Sequence, residues 1–327
     1  NSDAASFYAI KQLQYNIRKT FKVKQASRND IIRQIFYLLS DGFPKVVIRT
    51  DIRHFYESIP QDKLFEKIDN NVLLSPQSKK LIRKLFYEFE TQKDINEIAP
   101  KVGIPRGIGI SAYLSELFMR DIDIALKGLS DLTFYARYVD DIIMVFTPRT
   151  LSSKGDYLDE VRKIISENKL ELSEGQEDKE SKTKSYNLVE NNKLLEPLIF
   201  LGYKFFSQEQ VSKDKYGDQI TSAFIRIELS DSKMSKYKKR LTKSVEAYNN
   251  TSKFCEKDAR KLLFERLKFL TGNFHLNHNK KGIKSGVFYS NSLLLLNKNN
   301  DCIESLKKLN HEMRLSIRQI NPLHDIK

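Results

Sequence analysis

The sequence predicts an α+β protein in which short antiparallel strands are interleaved with amphipathic helices and followed by a mainly helical C-terminal region. Three observations carry this. The stretch TFYARYVDDIIMVF, residues 133–146, alternates β-branched and aromatic residues on both sides of a polar break at Tyr138-Val139-Asp140-Asp141, the pattern of a hairpin. Helical periodicity recurs over residues 28–40, 60–96 and 111–126. From Ser230 onward the chain becomes helical and basic, with Lys233, Lys236, Lys238, Lys239, Arg240 and Lys243 close together.

Composition bounds the partner. Lys and Arg number 56 against 42 for Asp and Glu, so the chain carries a net charge of +14, which favours a polyanion. Hydrophobic content of 40% is that of a globular chain, not a disordered one. The two cysteines, Cys255 and Cys302, lack ligand spacing, which predicts a reduced, cytoplasmic setting without disulfides or a zinc site. No apolar run has the length of a membrane span, so no membrane partner is expected.

Taken in order, residues 7–26 mix aromatics with Lys and Arg, a composition suited to phosphates and bases but equally to an amphipathic surface segment. Ser27 reads as an N-cap, Ile31, Ile32, Ile35, Phe36, Leu38 and Leu39 give that helix its apolar face, and Asp41-Gly42 ends it. KVVIRTD, residues 45–51, is a short strand ending in an acid. Ser75-Pro76 starts a second long helix as N-cap and N1. Gly103-Ile104-Pro105-Arg106-Gly107-Ile108-Gly109 is a stiff loop that lets backbone approach a ligand, and a helix follows from Ser111. A helix is expected over 154–168, and a charged loop over 171–184. PLIFLGYKFF forms a tight strand pair around Gly202-Tyr203, residues 215–218 a further turn, and SAFIRIEL an alternating strand. His275 and His278 read as surface residues.

The chemistry concentrates in carboxylates. Adjacent ionised acids at Asp140 and Asp141 repel each other and are costly to desolvate, so a cation or solvent must face them. A hard divalent ion takes such oxygen ligands together with substrate phosphates. Asp51, at the end of a separate strand, supplies the further carboxylate that a pair of metal ions would need.

In this order, the strand ending at Asp51, the glycine loop and its helix, Tyr138-Val139-Asp140-Asp141, the lysines 182 and 184, and Phe200-Leu201-Gly202-Tyr203 resemble the reverse transcriptases over roughly residues 20–250. The resemblance implies a right-hand polymerase: fingers in 1–43, palm in 44–60, a fingers or helical insertion in 61–102, palm in 103–206, and thumb with a C-terminal helical region in 207–327. It implies that Asp51, Asp140 and Asp141 bind two Mg2+ ions, with the Ile52 carbonyl as an extra ligand, and that Lys184 or Lys182 protonates the leaving pyrophosphate. Tyr56 falls at the family's aromatic gate against a ribose 2′-hydroxyl; Arg106, Gly107 and Ser111 fall on the segment that touches template and nucleotide. Phe200, Leu201, Gly202 and Tyr203 resemble the primer grip, while Lys236, Lys239 and Arg240 would hold nucleic acid from the thumb. Lys24, Arg28 and Arg33 are candidates to grip the triphosphate.

Two departures stand out: Arg106 replaces a common Gln, and Ser173-Glu174 replaces the family's usual Asn. The loop GIPRGIGISAYLSEL and the lead-in from Ser27 to Pro60 look most like the bacterial abortive-infection, anti-phage branch. What this implies is RNA-directed DNA synthesis from deoxynucleoside triphosphates, with an RNA template and a DNA product. Some members of that branch use a dedicated non-coding RNA, and a protein partner or self-association stays open. Protein-primed or template-independent synthesis and an inactive nucleic-acid scaffold are the competing expectations; three intact acids count against the scaffold, and Tyr56 counts against RNA synthesis.

Overall fold

The computed structural model describes residues 4–21, 26–70, 72, 74–91, 101–149, 156–175, 181–190, 193–213, 219–272, 286–297 and 303–320. Lys24, residues 92–96 of the expected helical stretch, the turn expected at 215–218, His275, His278 and Cys302 lie outside them. In chain order the elements are α1 (Ala4–Phe21), α2 (Arg28–Ser40), β1 (Val46–Asp51), α3 (Phe55–Ser58), α4 (Gln61–Asp69), α5 (Pro76–Thr91), α6 (Ser111–Lys127), β2 (Leu132–Tyr138), β3 (Asp141–Phe146) and α7 (Tyr157–Glu167). There follow β4 (Lys184–Asn187), β5 (Leu198–Phe200), β6 (Tyr203–Lys213), β7 (Gln219–Leu229), α8 (Asp231–Thr251), α9 (Glu256–Thr271), α10 (Phe288–Leu294) and α11 (Glu304–Arg318). The α+β class expected from periodicity is the one observed. No described helix is long and apolar enough to cross a membrane.

The chain divides into two compact units, Asn1–Ser27 with Phe43–Asn192, and Arg28–Gly42 with Lys193–Lys327. In the first, an antiparallel sheet runs β2-β3-β1-β4. Ile142 to Phe146 of β3 are all buried, so this inner strand reads as a continuous apolar run instead of alternating. Phe146 stacks on Tyr157 of α7 with ring centroids 4.3 Å apart, and Leu114 and Phe118 of α6 join the same core. The hairpin turn is shorter than the four-residue break: Tyr138 and Asp141 are paired strand ends, and only Val139 and Asp140 turn the chain. Val139 takes a left-handed φ of 63°, uncommon for a β-branched residue.

β4 departs from the charged loop expected up to Lys184. Its sequence KSYN carries little strand propensity, and it is a strand because its backbone pairs with β1, Val46 opposite Asn187. Thr50 and Thr183 lock the junction side by side, their hydroxyls 2.8 Å apart and buried.

In the second unit β5, β6 and β7 form an antiparallel sheet. A two-residue turn, Leu201-Gly202, with φ of 46° and 78°, joins β5 to β6; left-handed φ at both positions matches the twist of the strands. β7 is a sheet edge, and Asn297 covers part of it: its amide accepts from the Ile227 N–H and donates to the Ile227 carbonyl, each at 2.9 Å. Ser230 caps α8, accepting from the Lys233 N–H. Val245 and Tyr248 of α8 pack on Ala259 and Leu263 of α9. α10 falls within the C-terminal region expected to be helical, whereas β4 lies where the sequence pattern announced no strand.

Candidate active site

Backbone pairing brings the three acids together. β1 and β3 run antiparallel with Asp51 opposite Asp141, and the Ile52 N–H donates to the Asp140 carbonyl at 3.2 Å. Asp51, Asp140 and Asp141 each present a carboxylate oxygen within 4.8 Å of the others. Asp51 is buried and the other two are half-buried. Residues 172 and 173 close the far side: Leu172 bridges Ile52, and the Ser173 N–H donates to the Asp51 carbonyl at 2.7 Å.

Their electrostatics follow from crowding. Burial, then the charges of Asp51 and Asp140, push the Asp141 carboxyl up to about 6. Burial, then Asp51, also raises Asp140. The Lys182 ammonium sits 2.6 Å from Asp51 Oδ2, a hydrogen bond that raises its own pKa, and Arg49 adds a second positive charge that favours ionised Asp141. Lys184 lies in β4, opposite Arg49, and is not the lysine paired with Asp51. A cluster of hard oxygen donors, still short of positive charge after Lys182 and Arg49 are counted, fits one or more hard divalent ions.

The turn itself is held from below by Arg137, which sequence reasoning did not single out. Its guanidinium is almost fully buried and donates through Nη1 and Nη2 to Glu116 at 2.9 and 2.7 Å, and through Nε and Nη2 to Asp123 at 2.8 Å each. Nη1 also donates to the Val139 carbonyl at 2.9 Å, inside the turn that carries Asp140. Tyr135 completes the network by donating to Asp123 at 2.6 Å. Burial works to lower the Arg137 pKa, but the bonds to Asp123 and Glu116 outweigh it and raise it overall. The signal was present: an arginine inside an apolar strand, and two acids seven residues apart on one face of the preceding helix.

A second group forms around α3. A left-handed His54, φ 46°, turns the chain out of β1 and places Tyr56 on α3. The Arg106 guanidinium lies 5.8 Å from the Tyr56 ring centroid and donates to Glu57 at 2.6 Å. Gly103, φ 95°, lets the loop pass α3, since a Cβ there would stand 3.1 Å from the Glu57 carbonyl oxygen. Gly107, φ 80°, is exposed with open space around it. Ser111 is buried, and its hydroxyl donates to the Pro105 carbonyl, where it shapes the loop. Ile52 is buried beside the acids.

The remaining expected residues belong to the second unit. Phe200 and Tyr203 are buried strand ends, and both carbonyls of the Leu201-Gly202 turn are engaged, one by the Arg28 guanidinium and the other by the Ser230 N–H at 3.0 Å. Lys233 Nζ lies 4.3 Å from the Tyr203 ring centroid. Lys236, Lys239 and Arg240 are exposed on one side of α8. Arg33 is exposed on α2 and pairs with Asp30.

Pairing of β1 with β3, together with the turn before β3, thus gathers three acids at one end of an antiparallel sheet. Residues 5–205 match the family described as reverse transcriptase (RNA-dependent DNA polymerase), and the chain belongs to that family. Comparison with the curated proteins finds none that matches. Among solved structures, the chain is similar to telomerase from Candida albicans in complex with a TWJ fragment of telomeric RNA, at 11% identity and a TM-score of 0.41, over 95% of this chain and 47% of that one. It is also similar to telomerase from Candida tropicalis with the TWJ fragment, at 14% identity and a TM-score of 0.39, over 98% of this chain and 55% of the other. The chain thus spans about half the length of these structures.

Two outcomes follow from the site. Because the folded Asp141 carboxyl titrates at about 6 instead of 3.8, its contribution to stability is fully present below pH 3.8 and is lost as pH rises through 6, on the order of 2–3 kcal/mol without metal. Asp141→Asn should therefore melt above the metal-free wild type at pH 8, with the gap closing toward pH 4; thermal unfolding with EDTA checks this, and Mg2+ at pH 8 should raise the wild type more than the variant. Arg137→Met leaves the half-buried Glu116 and Asp123 facing each other without their buried counter-charge, at a cost of about 3 kcal/mol. Adding Asp123→Asn to that variant should recover part of the loss in denaturant titrations.

Proposed function

We propose that the chain is an RNA-directed DNA polymerase that extends a primer on an RNA template, and that it serves in bacterial anti-phage defence. The observation that carries the enzymatic reading is the convergence of Asp51, Asp140 and Asp141 within 4.8 Å at the ends of β1 and β3. The defence role rests on the likeness of the Gly103–Leu117 segment and of the lead-in to Asp51 to that branch. In right-hand terms, the β2-β3-β1-β4 sheet is the palm and the basic α8 belongs to the thumb.

Asp51, Asp140 and Asp141 are the residues that would hold two Mg2+ ions. Bound there, the ions lower the pKa of a primer 3′-hydroxyl and offset charge on the leaving pyrophosphate. The chain's own work is positioning. The β1-β3 register fixes two of the acids opposite each other, and Arg137 fixes the backbone of the turn between β2 and β3. Lys182, 2.6 Å from Asp51, would bring positive charge to the leaving group and, on its likeness to the family's lysine, a proton. Tyr56, under the Arg106 guanidinium, presents the ring that would reject a ribose 2′-hydroxyl. The exposed cations of α8 would follow phosphates without reading sequence.

Purified protein with Mg2+, a primed RNA template and labelled deoxynucleotides should make DNA, and Asp51→Asn or Asp140→Asn should reduce incorporation by at least about 1,000-fold. Tyr56→Ala should raise ribonucleotide incorporation relative to deoxynucleotide. Product of the same length with no template added would refute the templated reading. In bacteria challenged with phage, wild-type protein should lower plaque counts and Asp140→Asn should not; equal protection by both would refute the defence role as one that depends on synthesis.

A further inference from the structure

Among the described residues, helix α1 has an outer face that neither the fold nor the acid cluster uses. Leu13, Ile17 and Phe21, four residues apart, are buried and dock it onto the first unit. Gln14, on the flank of that face, reaches the glycine loop, its Oε1 standing 3.0 Å from where a Cβ on Gly109 would lie. At about 100° per residue, Phe7, Tyr8, Lys11, Tyr15, Arg18 and Lys19 fall together on the opposite side, within an arc of roughly 120°. All six are exposed, Tyr8 to 70% and Tyr15 to 56%. The helix contains no acidic residue.

Rings and cations interleave along this face. Lys11 Nζ lies 5.5 Å from the Phe7 ring centroid, Lys19 Nζ lies 5.9 Å from that of Tyr15, and Phe7 packs edge-on to Tyr8. From Phe7 to Lys19 the face is roughly 18 Å long at 1.5 Å per residue. Single exposed aromatics are ordinary, but three on one face with three cations beside them match a specific chemistry. Bases stack on rings whatever their sequence, while phosphates pair with the ammonium and guanidinium groups alongside.

We propose that the outer face of α1 is a platform for single-stranded nucleic acid. Duplex would offer it only phosphates, because paired bases keep their faces stacked on each other. An anionic membrane would also attract the cations, but an interfacial helix needs its Leu and Ile side free to insert, and here Leu13 and Ile17 are committed to the core. The platform rests on the reading of the chain as a nucleic-acid enzyme, and it adds a contact made outside the acid cluster.

Fluorescence anisotropy of a labelled, unstructured 20-nucleotide RNA with the full chain, in EDTA, tests this apart from catalysis. Tyr8→Ala/Tyr15→Ala should weaken binding about tenfold or more. Lys11→Gln/Arg18→Gln/Lys19→Gln should weaken it and flatten the plot of log affinity against log salt by about 2. Because these side chains are exposed, both variants should keep the wild-type melting temperature. Binding within twofold of wild type in both variants overturns the proposal. So does weakening by the charge variant alone, which would leave no stacking, or an equal loss of 20-base-pair duplex RNA. Sedimentation with phosphatidylcholine vesicles containing 30% phosphatidylserine is the remaining arm, and binding that the substitutions abolish there but not on RNA also overturns it. A wild type that binds RNA through α1 but incorporates no deoxynucleotide would sink the polymerase reading and leave the platform standing; a wild type that polymerises while its α1 variants bind RNA normally would do the reverse.

Discussion

The structure of the first unit depends on three like charges being forced together by backbone pairing. Asp51 and Asp141 face each other because β1 and β3 are in register, and Asp140 joins them through the hydrogen bond from Ile52. A register shift of one residue would send every side chain of β3 to the opposite face and separate the acids. The energy for this comes from Ile142 to Phe146 and their partners, a buried run that fixes the register at the cost of crowding carboxylates at its end. The raised pKa of Asp140 and of Asp141 measures that crowding.

Charge is balanced in two layers around the turn. Below it, Arg137 is enclosed by Glu116 and Asp123, so its cation is neutralised by α6 and its remaining contact goes to the turn backbone at Val139. Above it, Lys182 pairs directly with Asp51 and its charge also favours the ionised forms of Asp140 and Asp141. Removing Lys182 would deepen the negative potential, whereas removing Arg137 would unpair two half-buried acids and free the Val139 carbonyl in the left-handed turn. The first layer serves geometry and the second serves charge, which is why the arginine is buried and the lysine largely exposed.

The same division of labour appears at Arg106. It takes the place where Gln is common in the family, and in this chain its guanidinium is anchored by Glu57 and lies against Tyr56. A glutamine could hydrogen-bond there but would bring neither a charge for Glu57 nor a planar cation for the ring.

Sequence alone determined the α+β class, the strand end at Asp51, the hairpin around Asp140 and Asp141 and several helix starts, because these depend on periodicity, caps and the cost of burying adjacent charges. It also determined the aromatic and basic composition of α1, though not which side of it faced outward. Tertiary structure decided what depends on partners distant in the chain. KSYN became β4 only because β1 offered an edge, Lys182 rather than Lys184 met Asp51 because of where that strand began, and Arg137 became buried because Glu116 and Asp123 waited on α6. Local sequence encodes a residue's preferences, but the free energy of a buried ion pair or of a β-ladder belongs to two segments at once, and only the fold states which two.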